Sequence, residues 1–265
     1  MELSFIIPCY NHGKYLREAL CSISGIDGIQ YEIIIVNDGS TDVFTCQLLN
    51  ELEHEGYKVV HQSNMGLGAA RNAGINQALG KYIFPLDSDN KLKQEFINEA
   101  IDILRKRSAD IVYGDPEFFG DFDEKRLFKP EKFDITKMLF YNYIDACALF
   151  SKSVWEKNGG YEVNMPFQGN EDWEFWINAY KNGFNFLYIN KPSFYYRIRI
   201  DSMISSLENG FKSKHNHIFI INKHYDLYFR TYNDLRYYRN RYLYEKRSPF
   251  RTSVKYFIKF INNLF

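Results

Sequence analysis

Apolar and polar positions along the first 114 residues switch back and forth between two periods. LSFIIPCY is a short β-rich run, and HGKYLREALCSI after it sets Leu16, Ala19, Leu20 and Ile23 at helical spacing. YEIIIVNDGSTD repeats the theme: Ile33 to Val36 are apolar on both faces, as a buried parallel strand requires, and NDGSTD supplies turn and helix-start chemistry. YKVVHQ predicts a third strand, GLGAARNAGINQALG a small-residue helix ending at Gly80, and KYIFPL a fourth strand. EFINEAIDILRK then puts Ile97, Ala100, Ile101 and Leu104 on one stripe before a fifth strand, ADIVYG. This alternation predicts an α/β fold built on a doubly wound, mostly parallel sheet flanked by helices. Ligands of such sheets bind beyond the carboxyl ends of the strands. Asn11, Asp38, Asn64, Asp87 and Asp89 follow strands one to four and are expected at one rim.

Past residue 115 the alternation breaks. PEFFGDFDEKRLFKPEKFD reads as irregular or antiparallel, ITKMLFYNYI as a helix, and ACALFSKSVWEKNGGY as a strand and turn. NEDWEFWINAYKNG predicts a helix opened by a capping Asn170 and two acids, and FNFLYI a further strand.

The chain of 265 residues is 45% hydrophobic and 25% charged, ordinary for a globular protein, so disorder is not expected. Only seven residues without a basic cluster precede Pro8, and no stretch of about 18 apolar residues follows, so neither a signal peptide nor a membrane span is expected. Cys9, Cys21, Cys46 and Cys147 form no C-x-x-C pair, which suits reduced thiols in the cytoplasm. A net charge of zero conceals an asymmetry: residues 211–265 hold 12 Lys/Arg against 3 Asp/Glu, and residues 1–210 hold 21 against 30.

The acidic pair in KYIFPLDSDN carries the sharpest chemistry. In an extended chain Asp87 and Asp89 project to the same side, where their charges repel unless a divalent cation lies between them and a phosphate-bearing ligand. A solvated loop remains the alternative for so short a pattern. The second D-x-D, Asp121 and Asp123 in GDFDEK, follows no apolar strand and reads as such a loop. His215 and His217 are expected on a helix surface rather than on a metal.

Taken in order, IIPCYN, IIIVNDGSTD, NMGLGAARNAGI, YIFPLDSDN, LFSKSVWEKNGGY and NEDWEFW resemble a family 2 glycosyltransferase of the GT-A fold, over roughly residues 3–205. The resemblance implies transfer of a sugar from a nucleotide diphosphate donor, UDP favoured, to an acceptor hydroxyl with inversion. It implies Tyr10 stacking on the base, Asp38 accepting from uracil or ribose, and Arg71 reaching the base or diphosphate, with Pro8 and Ser88 in the same nucleotide site. By the same match Asp89 holds Mn²⁺ or Mg²⁺, Asp87 contacts the ribose or joins the metal shell, Asp172 is the base, and Glu171 beside it orients the acceptor. FYYRIRIDSMIS resembles the family's donor-covering loop, with Arg197 near the diphosphate and Ser202 and Met203 at matching positions.

The expected organisation is a catalytic domain over 1–205, with a nucleotide-binding half 1–114 and an acceptor-side half 115–205, followed by a basic aromatic helical extension over 206–265. Within the extension Val254, Phe257, Ile258 and Ile261 fall on one helical face, with Lys255 and Lys259 elsewhere. Such a helix suits either peripheral contact with the inner face of an anionic cell membrane, near a glycan or lipid-linked acceptor, or packing on protein. Three other functions stay open: a metal-dependent nucleotidyltransferase, a non-catalytic nucleotide-sugar binding partner, and a nucleic-acid-binding protein. PCYNHGKY is a poor version of the first's glycine-rich loop, and nucleic acid leaves the acidic rim unexplained, so no nucleic-acid partner is expected.

Overall fold

All seven residues of β1 (Leu3–Cys9) are buried, because this strand lies inside the sheet with a helical layer on each face. The computed structural model describes residues 1–121, 127–199 and 210–262. After β1 come α1 (Gly13–Ile23), β2 (Tyr31–Asp38), α2 (Val43–His54), β3 (Lys58–Gln62), α3 (Leu67–Asn76), β4 (Tyr82–Pro85) and β5 (Lys91–Leu92). Then follow α4 (Gln94–Arg105), β6 (Ile111–Gly120), α5 (Ile135–Met138), β7 (Leu149–Ser151), α6 (Lys152–Asn158), α7 (Glu171–Lys181) and β8 (Phe186–Ile198). Three helices close the described chain: α8 (Phe211–Lys223), α9 (Tyr225–Arg247) and α10 (Pro249–Asn262).

The strands form one sheet in the order β3-β2-β1-β4-β7-β6-β8-β5. β1 pairs in parallel with β2 and β4, and β2 with β3, so the carboxyl ends of four strands share one edge. Alternation divides β1 between two cores. Leu3, Phe5, Ile7 and Cys9 join the cluster that includes Leu16, Leu20, Leu49, Ile97 and Ile101 from the helices on one face. Ile6 faces α3 on the other, where a Cβ added to Gly74 would meet Ile6 Cγ2 at 2.5 Å and Val36 Cγ2 at 2.9 Å. That close approach explains a helix written in Gly and Ala.

Several expectations beyond the nucleotide-binding half need correction. β6 does not stop at ADIVYG but continues through PEFFG to Gly120, paired in parallel with β8, with register shifts between Tyr113 and Pro116. The strand expected in FNFLYI likewise runs on to Ile198. ITKMLFYNYI is helical only over Ile135–Met138. KSVWEKN is a helix rather than a turn, ended by Gly159 at φ 76°. Asn170 is not a side-chain cap: it adopts the left-handed conformation at φ 73° and makes no capping hydrogen bond to α7. Asp42, by contrast, caps α2 by accepting from Thr45 N at 2.8 Å.

The chain divides into two compact units, Met1–Ile220 and Ile221–Phe265. In the first, Asn216 on α8 is fully buried, donating to Phe167 O and Gly169 O and accepting from Phe167 N at 3.0 Å. It thereby fixes the loop that leads into α7. The described residues of the second unit are helical apart from the short breaks at His224 and Ser248, with exposed aromatics that include Tyr237, Tyr238, Phe250 and Phe257. Among the described residues no helix is long and apolar enough to cross a membrane.

Candidate active site

A cleft of about 890 Å³ opens along the carboxyl edge of the sheet, within the size range of small-molecule sites. Pro8, Tyr10, Asp38, Arg71, Asp87, Ser88, Asp89, Glu171, Asp172 and Arg197 all line it, so the residues singled out in the sequence meet at one place. Ser202 and Met203 lie outside the described residues, as does Asp123 of the second D-x-D.

The two central carboxylates converge by a route that strand alternation does not describe. β4 ends at Pro85, and Asp87 to Asn90 close a turn in which Asn90 N donates to Asp87 O at 2.9 Å. Each carboxylate is then held by its own arginine. Arg71 Nη2 donates to Asp87 Oδ1 at 2.8 Å, and Arg199 Nε pairs with Asp89 Oδ2 at 3.0 Å. Burial first, then the neighbouring Asp87, push Asp89 up to about 6, while Arg199 and Arg197 pull it down. Ser88 between them is buried, with its hydroxyl 3.4 Å from His12 Nδ1.

Arg71 is itself buried, packed 5.5 Å from the centre of the Tyr161 ring. Burial works against its charge, but Asp87, Tyr161, Asp172 and Glu171 together hold its pKa above the usual arginine value. Asp38 is committed to the fold: it accepts from Gln62 Nε2 at 2.7 Å, Met65 N at 2.8 Å and Gly66 N at 2.9 Å, tying β2 to the turn before α3. Asn64 borders the cleft, whereas Asn11 is a turn residue, with φ 56° and its side chain accepting from Thr41 N and Asp42 N. Tyr10 is 43% exposed at the cleft.

Arg197 occupies the wall beside the acidic turn. Its Nε donates to Asp89 O at 2.9 Å and its Nη2 to Glu18 at 2.8 Å, with the guanidinium over the rings of Tyr15 and Phe119.

The first turn of α7 presents Glu171 and Asp172 to the same cleft. Glu171 is buried and accepts from Gly169 N at 2.8 Å; burial raises its pKa and Arg71 opposes the rise. Asp172 accepts from Trp173 N at 2.8 Å and from Asn142 Nδ2 at 3.0 Å. Desolvation and then the charge of Asp145 push Asp172 up to about 7, against Arg71. Trp173 and Trp176 anchor the helix behind it by donating to Met138 O and Ile144 O. His215 is exposed as expected, but His217 is partly buried, 4.8 Å from the Trp173 ring and in contact with Leu139 O.

Sequence reasoning missed Asn142, Asp145 and Arg199. For Arg199 a signal existed: two positions beyond Arg197, it falls on the same side of an extended chain, and both guanidiniums lie over Tyr15. Asn142 lies in the part of ITKMLFYNYI that is expected to be helical and is not, and Asp145 follows directly after it, so the expected period marks neither.

Comparison with known proteins fits this geometry. The chain is 35% identical over 122 residues to the glycosyltransferase GlyA of Streptococcus pneumoniae, covering 45% of this chain and 17% of that protein. It is 28% identical over 211 residues to TuaG of Bacillus subtilis, provisionally named as a teichuronic acid biosynthesis glycosyltransferase, covering 77% of this chain and 81% of TuaG. The chain spans less than two thirds of the length of several curated relatives it matches. Among solved structures, residues 1–349 of Staphylococcus aureus TarS in complex with UDP-GlcNAc superpose with a TM-score of 0.64 at 23% identity, covering 78% of this chain and 61% of that one, which shows the GT-A fold. The sequence model of the family titled Glycosyl transferase family 2 matches residues 4–159, the stretch that builds the strand edge, the acidic turn and Arg71, and the chain therefore belongs to glycosyl transferase family 2.

Proposed function

We propose that this protein transfers a sugar from a UDP-sugar to an acceptor hydroxyl by a single inverting displacement, in the assembly of a bacterial polysaccharide, with Asp172 as the base. The observation that carries the reading is the presence in one cleft of an acidic turn suited to a diphosphate and of a desolvated carboxylate pushed up to about 7. A base poised near the working pH is the most effective one for removing a hydroxyl proton. Asn142 and the Trp173 amide fix the orientation of this carboxylate and leave it further acceptor capacity for the incoming hydroxyl. Polysaccharide assembly is supported by the naming of TuaG, and UDP by the ligand of the TarS complex.

Tyr10 offers an exposed ring on which a base can stack, beside Pro8, and Arg71 and Arg197 supply positive charge near the turn. The remaining acceptor capacity of Asp38 suits a ribose or uracil donor. The acidic turn fits Mn²⁺ or Mg²⁺ in the chemistry of its donors: Asp87 and Asp89 are hard oxygen ligands, and the charge of Asp87 adds to the cost of ionising the buried Asp89. No group of three or more His, Cys, Asp and Glu side chains able to hold an ion occurs among the described residues, so phosphate oxygens of the donor would complete the shell. A cation held there would offset the charge of the departing diphosphate.

The pH profile tests the base. Asp172 must be ionised to accept a proton, so kcat/KM should rise about tenfold per pH unit below about 7 and level off above it. A flat profile between pH 5.5 and 8 would contradict the assignment.

Up to Ile220 α8, with Asn216 buried, belongs to the catalytic unit, whereas the part of the extension beyond Ile220 is read as a membrane-facing element serving a lipid-linked acceptor. Its support is the charge excess of the tail and the exposed face of Val254, Phe257 and Ile258 on α10. Deleting residues 248–265 is expected to abolish co-sedimentation with anionic vesicles at physiological salt; unchanged sedimentation would end the membrane reading.

A further inference from the structure

Asp145 lines the same cleft as the acidic turn and Asp172, and neither the metal reading nor the base reading uses it. Its Oδ1 accepts from Cys147 N at 2.8 Å, which pins the carboxylate without exhausting its roughly four acceptor positions. The charge of Asp87 acts on it from the acidic turn, and that of Arg71 from α3. Its own charge is in turn the strongest ionic influence on Asp172. On the donor reading above, the diphosphate lies at the acidic turn and the attacking hydroxyl at Asp172. The sugar being transferred must bridge the two, and Asp145 shares their cleft and lies within electrostatic reach of both Asp87 and Asp172.

We propose that Asp145 binds hydroxyls of the transferred sugar and biases the site towards neutral hexoses and N-acetylhexosamines and against hexuronates. The inference rests on that donor reading. An ionised carboxylate takes hydrogen bonds from sugar hydroxyls more strongly than a neutral acceptor does. The same charge disfavours an anionic sugar. Asp87, Asp145, Glu171 and Asp172 surround a single guanidinium, Arg71, which is already paired to Asp87. The other arginines of the cleft, Arg197 and Arg199, are paired at the Asp89 end with Glu18 and Asp89. A sugar carboxylate would therefore enter a region with excess negative charge and no cation left over for it among these three.

The test is calorimetric titration at pH 8 of UDP, UDP-glucose, UDP-galactose, their N-acetylamino counterparts and UDP-glucuronate, with Mn²⁺ present. In the unmodified protein the tightest neutral donor should bind about tenfold or more tightly than UDP-glucuronate. Asp145→Asn keeps the size of the side chain and its contact with Cys147 N, so UDP affinity should stay within about twofold while the gap between neutral and anionic sugars narrows to about threefold or less. Asp145→Glu keeps the charge and should keep most of the gap. An equal gap in Asp145→Asn and the unmodified protein, no gap in the unmodified protein, or loss of the gap in both variants would overturn the inference while leaving the donor reading standing. Failure of the unmodified protein to bind UDP would reject both.

Discussion

Asp172→Asn should lower kcat by about a thousandfold while leaving UDP affinity within about twofold of the unmodified protein, as expected when a general base is removed and the donor contacts stay. The amide is isosteric and can still accept from Trp173 N, so the first turn of α7 has no reason to move. Its donor hydrogens would face Asn142 Nδ2 unless one of the two amides flips, a local adjustment within a pocket already polar. What the variant loses is the capacity to take the proton of the acceptor hydroxyl. Initial rates and UDP titrations on the same preparation separate the outcomes. Normal turnover would remove Asp172 from the chemistry, and a parallel loss of UDP binding would give it a structural part instead.

Arg71→Met should be the most destabilising single change in the cleft. The guanidinium is the shared counter-charge of Asp87, Glu171 and Asp172, and its removal leaves these carboxylates facing one another with little water. Breaking a buried ion pair from one side typically costs about 3–5 kcal/mol. Asp87 keeps 29% of its side chain exposed, which favours a value near about 3 kcal/mol. The loss should depend on pH. Asp172 and Asp145 are pushed up to about 7 and about 6 in the folded chain, above the roughly 3.9 of an unfolded aspartate. Across that interval the folded state binds more protons than the unfolded one, so these groups reduce stability as pH rises. Without Arg71 both are pushed higher still, and the deficit of Arg71→Met should be greater at pH 8 than at pH 5. Urea unfolding midpoints at the two values check this, and a deficit of equal size at both would contradict the electrostatic account.

The nucleotide-binding half was legible because β1, β2, β4 and the start of β6 are short apolar runs and α1 and α4 carry clear apolar stripes, whereas the two-residue β5 has no pattern of its own. Phe5 and Ile6 show why: adjacent residues serve opposite faces of a sheet covered on both sides, and the sequence needs no longer-range partner to say so. Beyond residue 115 the pairing is non-local. PEFFG becomes strand only because β8 lies beside it, and YYRI only because β6 does, so neither segment's own pattern declares it. The acidic pair was found for a reason that needs amending: Asp87 and Asp89 meet through a turn held by Asn90, after the strand has ended. Asn142 was hidden because the helix expected over ITKMLFYNYI stops at Met138, and Asp145 because the irregular chain beyond it has no period from which a side chain's direction can be inferred. Asn216 was hidden differently. It lies on α8, within a stretch that reads as a charged surface, and its burial against Phe167 and Gly169 follows from a contact nearly fifty residues away in sequence.

The most direct test of the account is titration of UDP into the protein with and without Mn²⁺, repeated on Asp89→Ala. The account predicts saturable binding that Mn²⁺ strengthens by at least about tenfold, with that strengthening lost in the variant. UDP binding that is absent from the unmodified protein, or equally strong without the metal and in Asp89→Ala, would contradict the claim that this acidic turn is a metal-assisted diphosphate site.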